Sequence, residues 1–246
     1  MRIKCTVSYD GSGFSGYQRQ PGLRTVQGEI EEALMKIHKG ERIKITASGR
    51  TDVGVHAVGQ VFHFDTSLKI PMEKWPIALN TLLPQDISIQ NAELVDQDFH
   101  ARFSAKKKEY RYRLYHSFHR DVFRRHYAYH FPNPLNIETI RTASRFIIGT
   151  HDFTSFCSSK TETENKVRTI YEADIWEEGD EITFRFVGSG FLYNMVRILV
   201  GTLIEVGEGK RKPEEIKQII AAKDRSRAGK TVSGCGLYLW KVYYDN

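Results

Sequence analysis

The sequence is poor in the features that staple, anchor or wire a protein from outside its own core. It has three cysteines, Cys5, Cys157 and Cys235, odd in number, far apart and without C-x-x-C spacing. That excludes a disulfide frame and a thiolate zinc site, and it suits reduced thiols in a cytosol. No charged-then-apolar leader opens the chain at MRIKCTVSYDG, so no secretory signal is expected. Long hydrophobic runs are missing as well. The longest, MVRILVGTLIEV, is interrupted by Arg197 and Glu205, so no membrane span is expected. There is no low-complexity tract, long linker or short-period repeat, and no G-x-x-x-x-G-K-[ST] loop of the kind that cradles nucleotide phosphates. GSGFSG at 11–16 does match G-x-G-x-x-G. However, Pro21 and Gly22 fall where a pyrophosphate-binding helix would have to continue, so the segment reads as a glycine-rich turn. His56, His63, His100 and His151 lack H-E-x-x-H or any strong ligand spacing, so no metal is expected. His63 lies between Phe62 and Phe64 on a strand pattern, the setting of a structurally satisfied imidazole.

What is present describes an ordinary globular chain with one unusual segment. The 246 residues are 40% hydrophobic and 27% charged, enough to bury a sizeable core as one large domain or two small ones. The net charge is +6. Residues 102–126, RFSAKKKEYRYRLYHSFHRDVFRRH, hold nine Lys and Arg against Glu109 and Asp121, a local +7 that leaves about −1 for the rest of the chain. Tyr110, Tyr112 and Tyr115 interleave with these cations. Cations that neutralise phosphates beside rings that stack on bases match a nucleic-acid surface; the plain alternative is a solvated charged face.

Periodicity divides the chain into two similar halves. A strand at IKCTVSYD is followed by a helix over TVQGEIEEALMKIH, with Thr25 as its cap. Strands follow around 43–48 and 58–65, then a short helix near 73–82 and a strand in LPQDISIQNAELV. The second half opens with the strand KEYRYRLYH and the helix NIETIRTASRFII. It continues with the strands VRTIYEADIW and EITFRFVGS, helices over FLYNMVRILVGTLIEVG and PEEIKQIIAAK, and a closing strand GLYLWKVYY. This order is α+β and suggests two related modules sharing a sheet, residues 1–104 and 105–246.

Two positions carry the chemical interest. Asp52 stands beside Arg50 and Thr51 on a turn bounded by Gly49 and Gly54, at the end of a strand pattern. A glycine-bounded loop on a rigid sheet is a common place for chemistry, although an aspartate in a turn more often only bonds the nearby backbone. On the apolar helix over 191–207, Gly190, Tyr193, Asn194, Arg197 and Gly201 follow one stripe. A partly buried guanidinium there needs an anionic partner, and Asp52 is a candidate.

At these residues the sequence resembles a known family. SGRTDVGVHAVGQVFHF is similar to the catalytic motif of the TruA-type tRNA pseudouridine synthases. The likeness runs on through YDGSGFSGYQRQ, TVQGEIEEAL, LPQDI, FHARFSAKKKEYRYRLY, GTHDFTSF, GFLYNMVRILVGTLIEVG and AAKDRSRAGKT, nearly the whole chain. The resemblance implies two ferredoxin-like α/β modules forming one central antiparallel sheet, the pseudouridine synthase fold, with a basic cleft. It implies a homodimer that isomerises uridine to pseudouridine in the anticodon arm of tRNA, in the cytoplasm and without a cofactor. Asp52 matches the family's essential aspartate, Arg197 the arginine that pairs with it, and Tyr110 the active-site tyrosine. Arg50, Lys106, Lys107, Lys108 and Arg111 are the expected RNA contacts. SGRTD in place of AGRTD, GYQRQ in place of GWQRQ and TVSGCGLYL leave the breadth of substrate open. A non-catalytic RNA-binding protein of this fold would keep the basic segment without needing Asp52, Tyr110 and Arg197 together. A metal-dependent nuclease would instead use Asp52 with the histidines.

Overall fold

The computed structural model describes residues 1–161 and 163–245. In chain order the strands are β1 (Arg2–Tyr9), β2 (Thr46–Ala47), β3 (His56–Asp65), β4 (Ile87–Val95), β5 (Lys107–His116), β6 (Tyr129–Phe131), β7 (Gly149–Asp152), β8 (Val167–Glu178), β9 (Glu181–Gly188) and β10 (Leu237–Tyr243). The α-helices are α1 (Val26–Ile37), α2 (Lys74–Asn80), α3 (Ile137–Arg145), α4 (Met195–Gly207) and α5 (Glu215–Ala222). The elements are mixed α+β. They form two compact units, Met1–Lys106 with Tyr238–Asn246, and Lys107–Leu237. The last strand thus returns to the first unit.

In the first unit the strand order is β4-β1-β3-β10, with β2 on β3. The pairs β1–β3 and β1–β4 are antiparallel, whereas β10 joins β3 in parallel, Tyr238 opposite His56. β1 alternates strictly, burying Ile3, Cys5, Val7 and Tyr9. Thr25 caps α1 as its sequence indicates, its side chain accepting from Gly28 N–H at 3.3 Å. The GSGFSG segment is a short 3-10 turn, Gly11–Gly13. Beyond it Arg24 lies 4.1 Å over the Phe14 ring and makes a two-pronged bond to Asp86 (2.8 and 2.9 Å), fastening the loop to the start of β4.

In the second unit the order is β5-β9-β8-β7, antiparallel throughout, with β6 added in parallel to β5. β6 and β7 are too short for their alternation to stand out in the sequence. α3 lies against α4 and β8. α4 differs from its sequence expectation at its start. It starts at Met195 and not near residue 191, because Asn194 takes a left-handed backbone (φ 62°) that a helix interior cannot hold. Gly190, Tyr193 and Asn194 are therefore off the helix, and of the stripe read from the sequence only Arg197 and Gly201 lie on it. The helix is buried nearly all round, as its apolar length indicates, with Arg197 and Glu205 alone half-exposed.

His63 is a satisfied core imidazole: it is 6% exposed, and its Nδ1 accepts from the Ala101 N–H at 3.1 Å. Burial, and then the nearby charges of Arg2 and His100, lower its pKa to about 4. The folded state therefore binds this proton less readily than the unfolded chain, whose histidine titrates near 6.5. The stability it contributes is complete above about pH 6.5 and is lost as pH falls towards 4. Asp65, lowered by its bond to Arg2, acts only at still lower pH. Urea unfolding of the wild type between pH 7 and pH 4 is expected to lose at most about 3 kcal/mol through His63. His63→Asn, which keeps an acceptor for Ala101, is expected to be markedly flatter across that window; equal slopes would assign the acid sensitivity elsewhere.

Candidate active site

The turn that carries Asp52 is fixed from several directions before Asp52 itself is considered. On its entry side, Ser48 Oγ donates to Gln60 Oε1 (2.6 Å) and Gln60 Nε2 donates to the Gly49 carbonyl (2.9 Å). Gln60 sits on β3 with no exposed surface, and its Oε1 also accepts from Val61 N–H (3.1 Å). Thr51 is buried, and its carbonyl accepts from Tyr17 N–H at 3.0 Å. Gly16 can come this close: its φ is +86°, and a Cβ there would lie 3.1 Å from the Thr51 oxygen. The turn closes with Val55 N–H donating to the Asp52 carbonyl (3.1 Å), and Gly54 takes φ +73°. Asp52 is half-buried and Arg50 exposed. His56, next in line, accepts from Gly11 N–H through Nδ1 (3.0 Å) and stacks on Tyr238 at 4.7 Å. The Asp10 carboxylate also stands 3.2 Å from that Nδ1, a contact that is an ion pair only when His56 is protonated.

In the second unit Tyr110 lies on β5 opposite Phe186 of β9, 9% exposed. Its ring meets the Phe191 ring edge-on, with centroids 5.0 Å apart. Phe191 is seated by Gly188, where a Cβ would stand 2.9 Å from the Thr169 carbonyl and 3.2 Å from the Phe191 ring. Arg197, in the first turn of α4, is half-buried and aimed by two bonds: Nε donates to the Val232 carbonyl (2.7 Å) and Nη1 to Asn194 Oδ1 (2.8 Å). The strap 228–232 that supplies Val232 is tied to α4. Gly229 N–H donates to Thr202 Oγ1 (2.9 Å), and a Cβ on Gly201 would lie 1.9 Å from the Lys230 oxygen.

The basic segment proves heterogeneous. Glu109 is buried and held by Arg111 Nε (2.8 Å) and Arg185 Nε (3.2 Å), so Arg111 balances an internal carboxylate. Arg113 pairs with Glu181 (2.6 Å), and Arg124 with Asp121 (2.8 Å) and Asp180 (2.6 Å). Lys106 is exposed at the end of the first unit, and Lys107 and Lys108 are half-buried at the start of β5. Sequence reasoning missed Gln60 and Phe191. Gln60 was visible only as one polar residue inside a buried strand, and Phe191 was absorbed into a helix that does not reach it.

With the geometry in place, comparison with known proteins identifies the chain. A family model described as tRNA pseudouridine synthase matches residues 6–104 and 143–245. The chain is 62% identical to tRNA pseudouridine synthase A of Bacillus subtilis (strain 168) over 247 residues, covering 100% of both chains. It is 61% identical to tRNA pseudouridine synthase A of Anoxybacillus flavithermus (strain DSM 21510 / WK1), covering 100% of this chain and 99% of that one. It is 60% identical to tRNA pseudouridine synthase A 1 of Bacillus cereus (strain ATCC 14579), again covering 100% and 99%. The chain belongs to the tRNA pseudouridine synthase family.

Asn194 holds the left-handed backbone before α4 and also the Arg197 fork, and substitutions separate the two roles. Asn194→Ala loses both and is expected to cost about 1–3 kcal/mol in urea unfolding. Asn194→Gly accepts the positive φ and should recover part of that loss. An alanine variant as stable as the glycine one would show that the backbone conformation is not strained.

Proposed function

We propose that this protein converts uridine to pseudouridine in the anticodon arm of tRNA, at family positions 38, 39 and 40, as a cytoplasmic homodimer. Asp52 is the essential carboxylate of the reaction, Arg197 the cation on which its ionised state depends, and Tyr110 the ring that receives the displaced base. One observation carries the reading: the family's motif places Asp52 on a turn braced through Ser48, Gly49 and Thr51, in a chain that aligns end to end with its relatives.

The chemistry fits those side chains. N1–C1′ breaks, the uracil turns, C5–C1′ forms, and the C5 proton leaves while N1 gains one. The atoms are only rearranged, so neither a redox partner nor a group donor is required. A carboxylate serves as nucleophile or base only when ionised and aimed, and a guanidinium fork does both better than a point charge. The target nucleotide has to leave its stack, and an aromatic face then supports it.

Asp52→Asn is expected to lower pseudouridine formation by at least roughly 10³-fold while tRNA affinity survives. Arg197→Lys should fall by about 10²-fold, because lysine lacks the planar fork. The deciding measurement maps pseudouridine in unmodified tRNA after incubation with each protein. Product outside positions 38–40, or substantial turnover by Asp52→Asn, would sink the reading. Replacing Lys106, Lys107 and Lys108 by Gln is expected to flatten the log–log salt dependence of tRNA affinity by up to about 0.7–0.9 per lost contact, with saturated rates little changed. An unchanged slope would place these lysines off the RNA.

A further inference from the structure

One buried contact at the Asp52 turn joins a side chain of β1 to the residue immediately before the carboxylate. The Tyr9 hydroxyl lies 2.7 Å from Thr51 Oγ1, with Tyr9 4% and Thr51 6% exposed. Burial raises the Tyr9 hydroxyl well above its usual range, against its bond to Thr51, so it stays protonated as a neutral bonding group. Through Thr51, Tyr9 ties β1 to the same turn that Gln60 holds at Ser48 and Gly49. The consequence for Thr51 is that both its polar ends are fixed, the hydroxyl by Tyr9 and the carbonyl by Tyr17 N–H (3.0 Å). A residue anchored at both ends transmits its orientation to the next peptide, and the next residue is Asp52.

We propose that Tyr9 is a positioning residue of the isomerisation, acting through Thr51 to set the direction of the Asp52 carboxylate. This rests on the reading in which Asp52 performs the chemistry. A hydroxyl pair buried out of reach of solvent has a purely structural alternative, namely that it only satisfies two polar groups inside the first unit. The alternatives differ in what they predict for chemistry at saturating substrate, since a misplacement of about 1 Å in a reacting group lowers the rate by up to roughly 10²-fold without altering binding.

The test uses the full chain and unmodified tRNA, comparing Tyr9→Phe, Thr51→Val, the double variant and Thr51→Ser, with melting temperature confirming that each is folded. The expected result has three parts. Single-turnover rates of Tyr9→Phe and Thr51→Val fall about 10- to 100-fold while tRNA Kd stays within about twofold of wild type. The double variant is no slower than the slower single one, because both remove the same bond. Thr51→Ser, which restores the hydroxyl, returns to within about threefold of wild type. Wild-type rates in either single variant, losses that multiply in the double, a serine variant as slow as the valine one, or a Kd that weakens in step with the rate would each overturn the proposal. Asp52→Asn run alongside separates the two readings: an active Asp52→Asn removes the role given to Asp52, whereas an inactive one beside a fully active Tyr9→Phe removes only the role given to Tyr9.

Discussion

Backbone pressed directly on backbone is the constraint from which both candidate regions take their shape. A Cβ on Gly11 would stand 2.0 Å from the carbonyl oxygen of Val55, and one on Gly201 would stand 1.9 Å from that of Lys230. In neither place is the obstacle a flexible side chain that could swing aside, so any other residue would have to move a main chain. The first contact sets the end of β1 against the exit of the Asp52 turn. The second sets the strap 228–232 against α4, and from that strap the Val232 carbonyl holds Arg197. Thus two glycines that contribute no functional group determine where a carboxylate and a guanidinium stand.

Electrostatics follow the same economy of position. The surplus of positive charge in 102–126 looks uniform when residues are counted, yet the fold divides it. Arg111 faces the buried Glu109, which would be strongly destabilising without a cation. Arg113, on β5, meets Glu181 at the start of β9, while Arg124 meets Asp180 of the β8–β9 turn and fastens the segment after β5 to the sheet. A cation engaged in this way still contributes to the field an approaching anion would feel, but part of its donor fork is taken by a carboxylate. In the proposed function, the charge count alone would therefore overstate the cations of this segment that are free of internal carboxylates, and the salt slope would measure the difference.

The secondary structure was legible where the pattern was long. β1, α1 and β9 each carry a clear period, and the ends of α1 follow from Thr25 as its cap. The start of α4 was not legible, because one left-handed asparagine cut an otherwise continuous apolar run and periodicity does not register backbone sign. β6 and β7, at three and four residues, present too few alternations to distinguish strand from loop. In the candidate site, Asp52, Arg197 and Tyr110 stood out through their company in the sequence. Gln60 and Tyr9 did not, since each reads locally as one more residue of a strand. Their meaning lies in contacts spanning 12 and 42 positions, which only the fold brings together.

The proposed reaction would set different tasks for the braced turn and for the aromatic ring. In this isomerisation the leaving group and the incoming group are the same uracil, which must turn over without departing. The group acting on the nucleotide must then hold still while the base rotates, and in the proposed role of Asp52 a turn tied through Ser48, Gly49 and Thr51 would meet that demand. What meets the base should do the opposite. A directional hydrogen bond would resist rotation, whereas an aromatic face supports a planar base in any in-plane orientation. Phe191 meets the Tyr110 ring edge-on, and in the role proposed for Tyr110 its face would set no in-plane direction for the base. Rigidity at the carboxylate and rotational tolerance at the ring are what a rearrangement asks for, and a hydrolytic nuclease, whose leaving group simply departs, would need only the first.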